Sequence, residues 1–478
     1  MIAELERAVG AGNVMTDPAQ VASYACDGLT GYRVSPSAVV LPATTDEVAA
    51  CVRICADAEV PYVARGAGTG LSGGALPVAD GVVIGLQRLR TILAVDVENE
   101  RVTVQPGVTN LAVSAAVAPL GYYYAPDPSS QQVCTIGGNV AENSGGAHCL
   151  KYGFTIHHVL QATFVTADGR VAQLGHAVPD APGIDLLGVV IGSEGTLGIV
   201  TEVVLKILPK PAAVDTLLAA FDSTDAAGDA VSRIIAAGVV PAAIEMMDRL
   251  TIEAAEQSVH AGYPDCEAAL LVELDGPEPE VRSLRGVIEE LCRAAGAREL
   301  RRAEDPEQRA RMWKGRKAAF AAMGRVSPDY YVQDGVIPRT KLPEVLRGIR
   351  ELEAEYGLRV GNVFHAGDGN LHPLVLYDGA EEGASDRALE VPTKILELCV
   401  EHGGSITGEH GVGHDKVCSM PKMFSGDDLT VMDRLRAAFD PSGLANPGKV
   451  LPTPRLCGEV PGFHRVHPVE AAGLGERF

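Results

Sequence analysis

Two histidines, His365 and His372, lie on either side of an Asp-Gly pair in the sequence NVFHAGDGNLHPL. On one straight strand, an offset of seven residues would put them on opposite faces, so the chain must fold back between them if they act together. Asp-Gly favours a two-residue hairpin turn. A turn at Asp368-Gly369 predicts that the histidines pair directly across the hairpin, with Cβ atoms about 5 Å apart. Both imidazoles could then bind one metal ion.

The glycine-rich segment GGSITGEHGVG, residues 403–413, supplies two further candidates, Glu409 and His410. Adjacent side chains point apart on a regular strand or helix, whereas an irregular glycine-rich backbone lets Glu409 face a metal while His410 faces a substrate. Two histidines and one carboxylate leave coordination positions open, which is typical of a catalytic metal site. His410 is then a candidate general base for a hydroxyl group polarised by that metal.

Arg316, in the sequence MWKGRKAAF, is a candidate for binding a substrate carboxylate. Its guanidinium can offer two parallel hydrogen bonds to such a group. The spacing of the charges by itself favours a solvated helix face for Arg316. His414 is expected to be an ordinary loop histidine.

The elements that must position these residues begin with a β-α-β unit between residues 38 and 64. The segment that follows, RGAGTGLSGGALP, contains the GxGxxG pattern of a dinucleotide-binding turn, but that turn must open a helix. Gly74 and Pro77 leave no clean helix start, so we reject this interpretation. The exposed backbone N–H groups of such a loop still suit a pyrophosphate, with Arg65 and the hydroxyls of Thr69 and Ser72 nearby.

A second glycine-rich segment covers residues 126–146 and includes the apolar residues Val133, Ile136 and Val140. Apolar anchors predict an ordered loop that runs past a ligand rather than a disordered linker. Beyond Pro211 the pattern changes to β-α-β-β-α-β. This order is typical of the split-βαβ arrangement, in which helices cover an antiparallel sheet, and it predicts a second domain.

The composition excludes several classes of protein. The chain has 478 residues and a formal net charge of −22, which argues against nucleic acid or an anionic membrane as the main partner. No run of apolar residues is long enough to predict a transmembrane segment. The ten cysteines form no CxxC pair, so we expect reduced thiols, no iron–sulfur cluster within the chain and a cytoplasmic location.

Six blocks taken together resemble a known family: RGAGTGLSGG, PDPSSQQVCTIGGNVAENSGG, IGSEGTLGIVT, HAGDGNLHP, GEHGVGHDK and DPSGLANPGKV. They are similar to the FAD-dependent 2-hydroxyacid dehydrogenases of the vanillyl-alcohol-oxidase type, which include glycolate oxidase flavoprotein subunits and D-lactate dehydrogenases. The resemblance implies an α+β fold with an FAD-binding domain of two α+β subdomains and a ferredoxin-like cap domain with an antiparallel sheet. The expected division is an N-terminal helical segment (1–34), the FAD-binding domain (35–210), the cap or substrate domain (211–426) and a C-terminal segment (427–478) that returns to the FAD domain.

The resemblance also implies roles for individual residues. His365, His372 and Glu409 would bind a divalent metal, most simply zinc, while His410 would take the α-hydroxyl proton and Arg316 would bind the carboxylate. The Cα hydride would pass to flavin N5, and the metal would bind the hydroxyl and carboxylate oxygens of the substrate. FAD is expected to be non-covalent, because Thr69 stands where some relatives carry a histidine that attaches the flavin. The residues expected to bind FAD are Arg65, Gly66, Gly68, Thr69, Gly70, Leu71, Ser72, Pro126, Asp127, Ser129, Gly137, Gly138, Asn139, Asn143, Gly145, Glu194, Gly195, Gly198, Ile199 and Asn446.

Two positions favour a small substrate, glycolate or D-lactate. Val332 and Leu374 stand where the D-2-hydroxyglutarate branch of the family is expected to carry polar residues. The resemblance further suggests an iron–sulfur partner subunit, which could hold the chain at the inner face of a membrane, or another electron acceptor. A homodimer is left open.

Three alternatives remain at this point. The chain could have D-2-hydroxyglutarate dehydrogenase-like activity. It could be a metal-dependent hydrolase in which the glycine-rich loops are structural, and it would then be colourless. It could also be a non-catalytic flavin-binding subunit, which would be yellow but not bleached by any hydroxy acid.

Overall fold

The computed structural model describes residues 1–178, 182–452 and 476–477. The α-helices in these ranges are α1 (Ile2–Val9), α2 (Pro18–Val21), α3 (Thr45–Asp57), α4 (Asn110–Val117), α5 (Ile136–Glu142), α6 (Cys149–Tyr152), α7 (Leu186–Val190), α8 (Thr224–Ala236), α9 (Arg249–Val259), α10 (Glu278–Ala294), α11 (Pro306–Ala322), α12 (Leu342–Tyr356), α13 (Ala384–Glu401), α14 (Met420–Met423) and α15 (Gly426–Phe439).

The strands are β1 (Val14–Met15), β2 (Tyr32–Arg33), β3 (Ala38–Val40), β4 (Tyr62–Arg65), β5 (Val82–Gly85), β6 (Ile92–Asp96), β7 (Arg101–Val104), β8 (Tyr122–Tyr123), β9 (Val159–Thr166), β10 (Val171–Gly175), β11 (Gly198–Lys206), β12 (Leu208–Pro209), β13 (Ala213–Phe221), β14 (Ala243–Asp248), β15 (Ala268–Gly276), β16 (Glu299–Arg302), β17 (Asp329–Val332), β18 (Gly335–Val336), β19 (Arg359–His365), β20 (Asn370–Leu371), β21 (Pro373–Tyr377) and β22 (Glu476–Arg477).

The chain divides into two compact units. Unit 1 consists of Met1–Gly145, Phe154–Lys210 and Glu409–Phe478, and unit 2 of Gly146–Gly153 and Pro211–Gly408. Unit 2 therefore ends before the boundary at 426 expected from the sequence and includes a short segment from the middle of the first half. The functional division into FAD-binding and cap domains stays a prediction.

Unit 1 contains two main sheets, each covered by helices. In the first, β3, β5 and β4 are parallel and β1 pairs antiparallel with β3. All four residues of β5 are buried, as is usual for a parallel strand covered on both faces. Helix α3 begins at Thr44, whose hydroxyl accepts a hydrogen bond from Glu47 N, and it packs Val48 and Val52 into the core beside this sheet. The predicted β-α-β unit is present.

The second sheet of unit 1 has the order β10-β9-β11-β7-β6 and is antiparallel throughout. Buried and partly buried residues alternate along most of β11, the pattern of a strand with one face toward the core. Phe164 of β9 and Leu205 of β11 pack in one cluster with residues of α4 and α5. Unit 1 thus has the two α+β subdomains that the fold prediction requires.

Unit 2 has an antiparallel sheet with the order β16-β13-β15-β14-β19. The first four strands follow the order 4-1-3-2 in chain numbering, which is that of the predicted split-βαβ arrangement. The sequence interpretation missed α9, which lies between β14 and β15. Asp248 begins this helix, because its carboxylate accepts from Thr251 N at 2.9 Å.

Two findings concern the cysteines and membrane-spanning segments. Eight cysteines in the described ranges, among them Cys51 and Cys55, are free. Within the described ranges, the structure contains no helix with the length and apolar character needed to span a membrane.

Asp248 should stabilise unit 2 more than an ordinary helix cap does, because its second carboxylate oxygen accepts from Asn362 N at 2.7 Å. Asp248→Ala removes the cap, which costs about 1 kcal/mol, and leaves a buried β19 N–H without its acceptor, which costs about 1–3 kcal/mol more. We expect a loss of about 2–4 kcal/mol in the free energy of unfolding. The measurement is chemical denaturation followed by the fluorescence of Trp313, the single tryptophan of the chain, in α11 of unit 2.

The matched control is Ser223→Ala, which removes the exposed cap of α8 in the same unit. It should cost about 1 kcal/mol. Equal losses in the two variants would show that the Asn362 contact contributes nothing.

Candidate active site

The hairpin that carries the two histidines differs from the predicted one. His365 pairs with Asn370, so the loop contains Ala366 to Gly369 rather than two residues. Gly369 has a φ of 83° and donates its N–H to His365 O, a conformation that glycine adopts without strain. The prediction that His365 and His372 lie directly opposite each other is therefore wrong. The same register, also seen in the pairing of Asn362 with Pro373, sets His372 opposite Val363.

The two histidines nevertheless come together. Val363 and His365 are two residues apart on β19 and share a face, so His372 is the diagonal neighbour of His365 on that face. Diagonal neighbours lie within reach of ring side chains. The ring centroids are 5.0 Å apart and nearly perpendicular, and both residues are buried.

A carboxylate lies at the Nδ1 atom of His365. Glu245 is the cross-strand partner of His365 in the β14–β19 pair, and its two oxygens are 2.8 and 3.0 Å from His365 Nδ1. An imidazole that donates from Nδ1 has its lone pair on Nε2. A hydrogen bond of this kind commonly orients a histidine that binds a metal.

A second carboxylate, that of Asp334, lies near Nδ1 of His372. Its Oδ1 lies 3.9 Å from His372 Nδ1, and its Oδ2 accepts from Thr407 Oγ1 at 2.7 Å and from Gly408 N at 3.0 Å. The carboxylate thus fixes the end of unit 2 at Gly408. Glu409 is the next residue in the chain and the first of the last segment of unit 1.

Helix α11 presents one face to the histidines. Trp313, Arg316 and Phe320 follow helical spacing, which places them on the same face. Arg316 is 2% exposed and its Nη2 lies 2.6 Å from Glu245 Oε2, so the solvated helix face favoured by charge spacing is wrong. Its Nε has no hydrogen-bond partner among the described residues. The Phe320 ring meets the His372 ring edge-on at 5.6 Å.

Sequence analysis missed Glu245 and Asp334 as parts of the site. A signal for Glu245 was present, because it is the one charged residue within the run PAAIEMM. A charge inside a buried strand needs a partner and commonly marks a site.

In unit 1, the glycine-rich segments predicted to bind a cofactor meet one another. Asn446 Nδ2 donates to Gly74 O at 2.9 Å and to Glu194 O at 2.7 Å. Gly192 N and Glu194 N donate to the carbonyls of Val140 and Ala141. A side chain at Gly66 would overlap Thr135 Oγ1. The loop at 65–74, the segment at 126–146, the segment at 192–200 and Asn446 therefore form one structure.

The atoms exposed by these segments suit a large polar ligand. The backbone N–H groups of residues 66–72 donate to no carbonyl in the described part of the chain, and successive N–H groups of this kind bind phosphate oxygens. Thr135 Oγ1, Asn139 Nδ2 and Asn446 Oδ1 are buried without a hydrogen-bond partner among the described residues. Buried polar atoms are usually paired, so these atoms fit a ligand such as FAD.

Other residues predicted to bind the cofactor differ in what they contact. Arg65 lies beneath its own loop, with its guanidinium against the Tyr24 ring and Nη1 donating to Tyr24 O. Pro126 O accepts from Asn110 Nδ2. Ile199 is 2% exposed and packs in the core beside the first sheet. A Cβ at Gly145 would lie 2.7 Å from Glu409 Oε2, so Glu409 lies against the end of the segment at 126–146.

Hydrogen bonds between other side chains and backbone atoms hold the chain around His410 in place. Ser72 Oγ donates to His410 O at 2.9 Å, and the Glu194 carboxylate accepts from Val412 N at 2.7 Å and Gly413 N at 2.6 Å. Burial raises the pKa of Glu194 to about 7, although these two hydrogen bonds oppose the shift. A side chain at Gly411 would overlap the carboxyl groups of Glu142 and Glu194.

Comparison with known proteins agrees with this geometry. A family model described as an FAD binding domain matches residues 36–175, and one described as the C-terminal domain of FAD linked oxidases matches residues 210–450. Glycolate oxidase subunit GlcD of Escherichia coli is 54% identical over 449 residues, which cover 94% of this chain and 90% of that protein. D-lactate dehydrogenase of Anaerostipes hadrus is 34% identical and covers 87% of this chain and 90% of that protein.

The fold has relatives of low sequence identity. The structure of 4-ethylphenol oxidase from Gulosibacter chungangensis superposes with a TM-score of 0.79 at 19% identity, covering 94% of this chain and 96% of that chain. The predicted vanillyl-alcohol-oxidase type of FAD-binding fold is thereby confirmed. The two matched models and the full-length relatives show that the chain is an FAD-linked oxidoreductase and belongs to the FAD-linked oxidase family, together with glycolate oxidase subunit GlcD and D-lactate dehydrogenase.

Proposed function

We propose that this enzyme oxidises a small 2-hydroxy acid, glycolate or D-lactate, to the corresponding 2-oxo acid. The observation that carries the proposal is the buried Arg316 of unit 2, whose Nε has no hydrogen-bond partner among the described residues, beside the paired histidines. A buried guanidinium of this kind is suited to a carboxylate. The printed names of the two relatives, glycolate oxidase and D-lactate dehydrogenase, support the same class of substrate.

FAD would be held without a covalent bond by the loop at 65–74, the segments at 126–146 and 192–200, and Asn446. The N–H groups of residues 66–72 would bind its phosphates. When bound, FAD supplies an acceptor for the two electrons that leave the substrate as a hydride.

A divalent metal, most simply zinc, would be held by His365, His372 and Glu409. The buried pair of imidazoles supports two of these ligands, and the position of Glu409 directly after Gly408, which Asp334 holds in place, supports the third. When bound, such an ion supplies a Lewis acid for the substrate hydroxyl.

Two side chains, Arg316 and His410, would bind the substrate and accept its proton. Arg316 would bind the carboxylate of the substrate and fix its orientation. His410 would accept the proton of the α-hydroxyl group as the hydride leaves Cα. Oxidation thus removes one proton from the hydroxyl group and one hydride, which carries two electrons, from Cα. The product is the 2-oxo acid.

An apolar wall supports a small substrate. Val332 and Leu374 are cross-strand partners in the β17–β21 pair. Leu374 belongs to a buried cluster against which both Val332 and Phe320 pack. These side chains offer no hydrogen bond to a second carboxylate, and a buried charge without a partner is costly. We therefore favour a monocarboxylate over D-2-hydroxyglutarate.

The reduced flavin needs an acceptor. The relative from Escherichia coli is named a subunit, which supports a partner subunit, and an iron–sulfur protein is one candidate. The cytoplasmic location, attachment to a membrane through a partner and a homodimer stay predictions.

The first test is the visible spectrum of the purified, metal-replete chain, recorded anaerobically before and after addition of glycolate or D-lactate. We expect flavin absorbance that bleaches with either acid and faster than with D-2-hydroxyglutarate. Flavin that no hydroxy acid bleaches would favour a non-catalytic flavin-binding subunit. A dicarboxylate that reacts faster than both monocarboxylates would overturn the assignment of a small substrate.

The loop at 65–74 can be tested with Gly70→Ala. A Cβ at Gly70 meets no protein atom within 4 Å and the residue has no positive φ, so the apoprotein should keep its stability. If FAD lies over this loop, the methyl group should raise the Kd for FAD about tenfold or more, equivalent to about 1.4 kcal/mol. Gly12→Ala is the control, since Gly12 is equally open and lies outside the loop. An unchanged Kd for FAD would place the flavin elsewhere.

The apolar wall can be tested with Phe320→Ala. Removing the ring beside His372 should make room for a longer aliphatic chain and raise the ratio of kcat/KM for 2-hydroxybutyrate to that for glycolate by about tenfold or more. Val326→Ala is the control, because Val326 packs against the same cluster but has no ring to remove from His372. If both variants change the ratio equally, Phe320 does not limit substrate size.

A further inference from the structure

Glu245 contacts two residues to which the proposed function gives different tasks. Its carboxylate lies 2.8 and 3.0 Å from Nδ1 of His365 and 2.6 Å from Nη2 of Arg316. We infer that Glu245 is a positioning residue that orients the metal ligand and the carboxylate-binding residue together. The inference rests on the proposed function, since it assumes that His365 binds a metal and that Arg316 binds the substrate.

The backbone explains why one carboxylate reaches both residues. Glu245 and His365 are cross-strand partners on β14 and β19, so their side chains leave the sheet on the same face at close distance. Helix α11 supplies Arg316 from outside the sheet. The Glu245 side chain is 1% exposed, and water therefore cannot replace either partner.

The contact with His365 decides which nitrogen can bind a metal. A carboxylate that accepts from Nδ1 favours the tautomer with its lone pair on Nε2 and fixes the plane of the ring. The same contact raises the basicity of the imidazole as a ligand. Loss of such an outer partner typically lowers metal affinity about 10–100-fold.

The contact with Arg316 compensates the buried carboxylate and aligns the guanidinium. An isolated buried carboxylate is strongly disfavoured, and the positive charge of Arg316 compensates it. Glu245 Oε2 lies 2.6 Å from Nη2, and Nε has no hydrogen-bond partner in the described part of the chain. The guanidinium is thereby fixed by one group while it keeps a donor for a substrate carboxylate.

A second buried glutamate on the same face allows the positioning role of Glu245 to be distinguished from simple anchoring of the helix. Glu273 is the partner of Ala243 on β15, so it shares a face with Glu245, and it is 2% exposed. It accepts from Arg309 at 2.7 and 2.8 Å and from Trp313 Nε1 at 2.6 Å. Both glutamates thus bind α11, but these contacts of Glu273 are with Arg309 and Trp313, to which the proposed function gives no task.

The test compares Glu245→Gln with Glu273→Gln in the full-length, FAD-loaded protein. A glutamine can accept from one donor but turns its NH₂ group toward the other, so it cannot serve His365 and Arg316 together. We expect Glu245→Gln to weaken zinc binding about 10–100-fold, measured by competition with a chelator, and to raise KM for glycolate. Glu273→Gln should lower the thermal stability while the zinc Kd stays within about twofold of the wild type.

A further variant tests whether a loss of zinc binding comes from misfolding rather than from the lost contact. Glu245→Asp keeps the charge but shortens the reach, so it should give an intermediate zinc affinity while FAD content, measured by absorbance, stays unchanged. If the wild type binds zinc and Glu245→Gln binds it equally well, the inference is wrong. If Glu273→Gln weakens zinc binding as much as Glu245→Gln does, the effect is structural and the inference is again wrong. A wild type that binds no divalent metal would instead overturn the proposed metal site.

Discussion

A carboxylate buried in a protein interior must be paired or lose its charge, and this constraint organises unit 2. Glu245 and Glu273 project from one face of neighbouring strands, and each is satisfied by side chains of helix α11. The helix is therefore fixed on the sheet by charge as well as by apolar packing. Because α11 also carries Arg316 and Phe320, the same pairing that satisfies the acids sets these two residues beside the histidine pair.

Unit 1 depends on a different constraint, the close approach of backbone segments. Its glycine-rich loops leave N–H groups and buried polar atoms without partners in the described chain, which is costly for a protein alone and favourable when a polar cofactor pairs with them. Gly66 and Gly411 stand where a side chain would overlap Thr135 or the pair of Glu142 and Glu194. The loops can therefore approach one another only because these residues are glycines.

The two units thus treat their buried polar groups in opposite ways. Unit 2 compensates buried charge within itself and so holds a few side chains rigidly, which catalytic positioning requires. Unit 1 leaves polar backbone uncompensated and so prepares a surface for a large cofactor. Glu409 and His410 begin the last segment of unit 1 directly after Gly408 of unit 2, so these residues proposed for catalysis lie at one of the points where the chain passes from one unit to the other.

The sequence by itself determined the split-βαβ order and the residue types of the site, because strand alternation, glycine spacing and helix caps are local signals. It determined the fold class through the six blocks that resemble the family. It could not determine the hairpin register, since Asp368-Gly369 favours a two-residue turn and only the pairing of β19 with β14 and β21 selects the longer loop. Charge spacing put Arg316 in solvent, whereas a partner 71 residues away, Glu245, buries it. Only the tertiary structure showed which residues Glu245 and Asp334 contact, because the partners of a buried charge are distant in the chain.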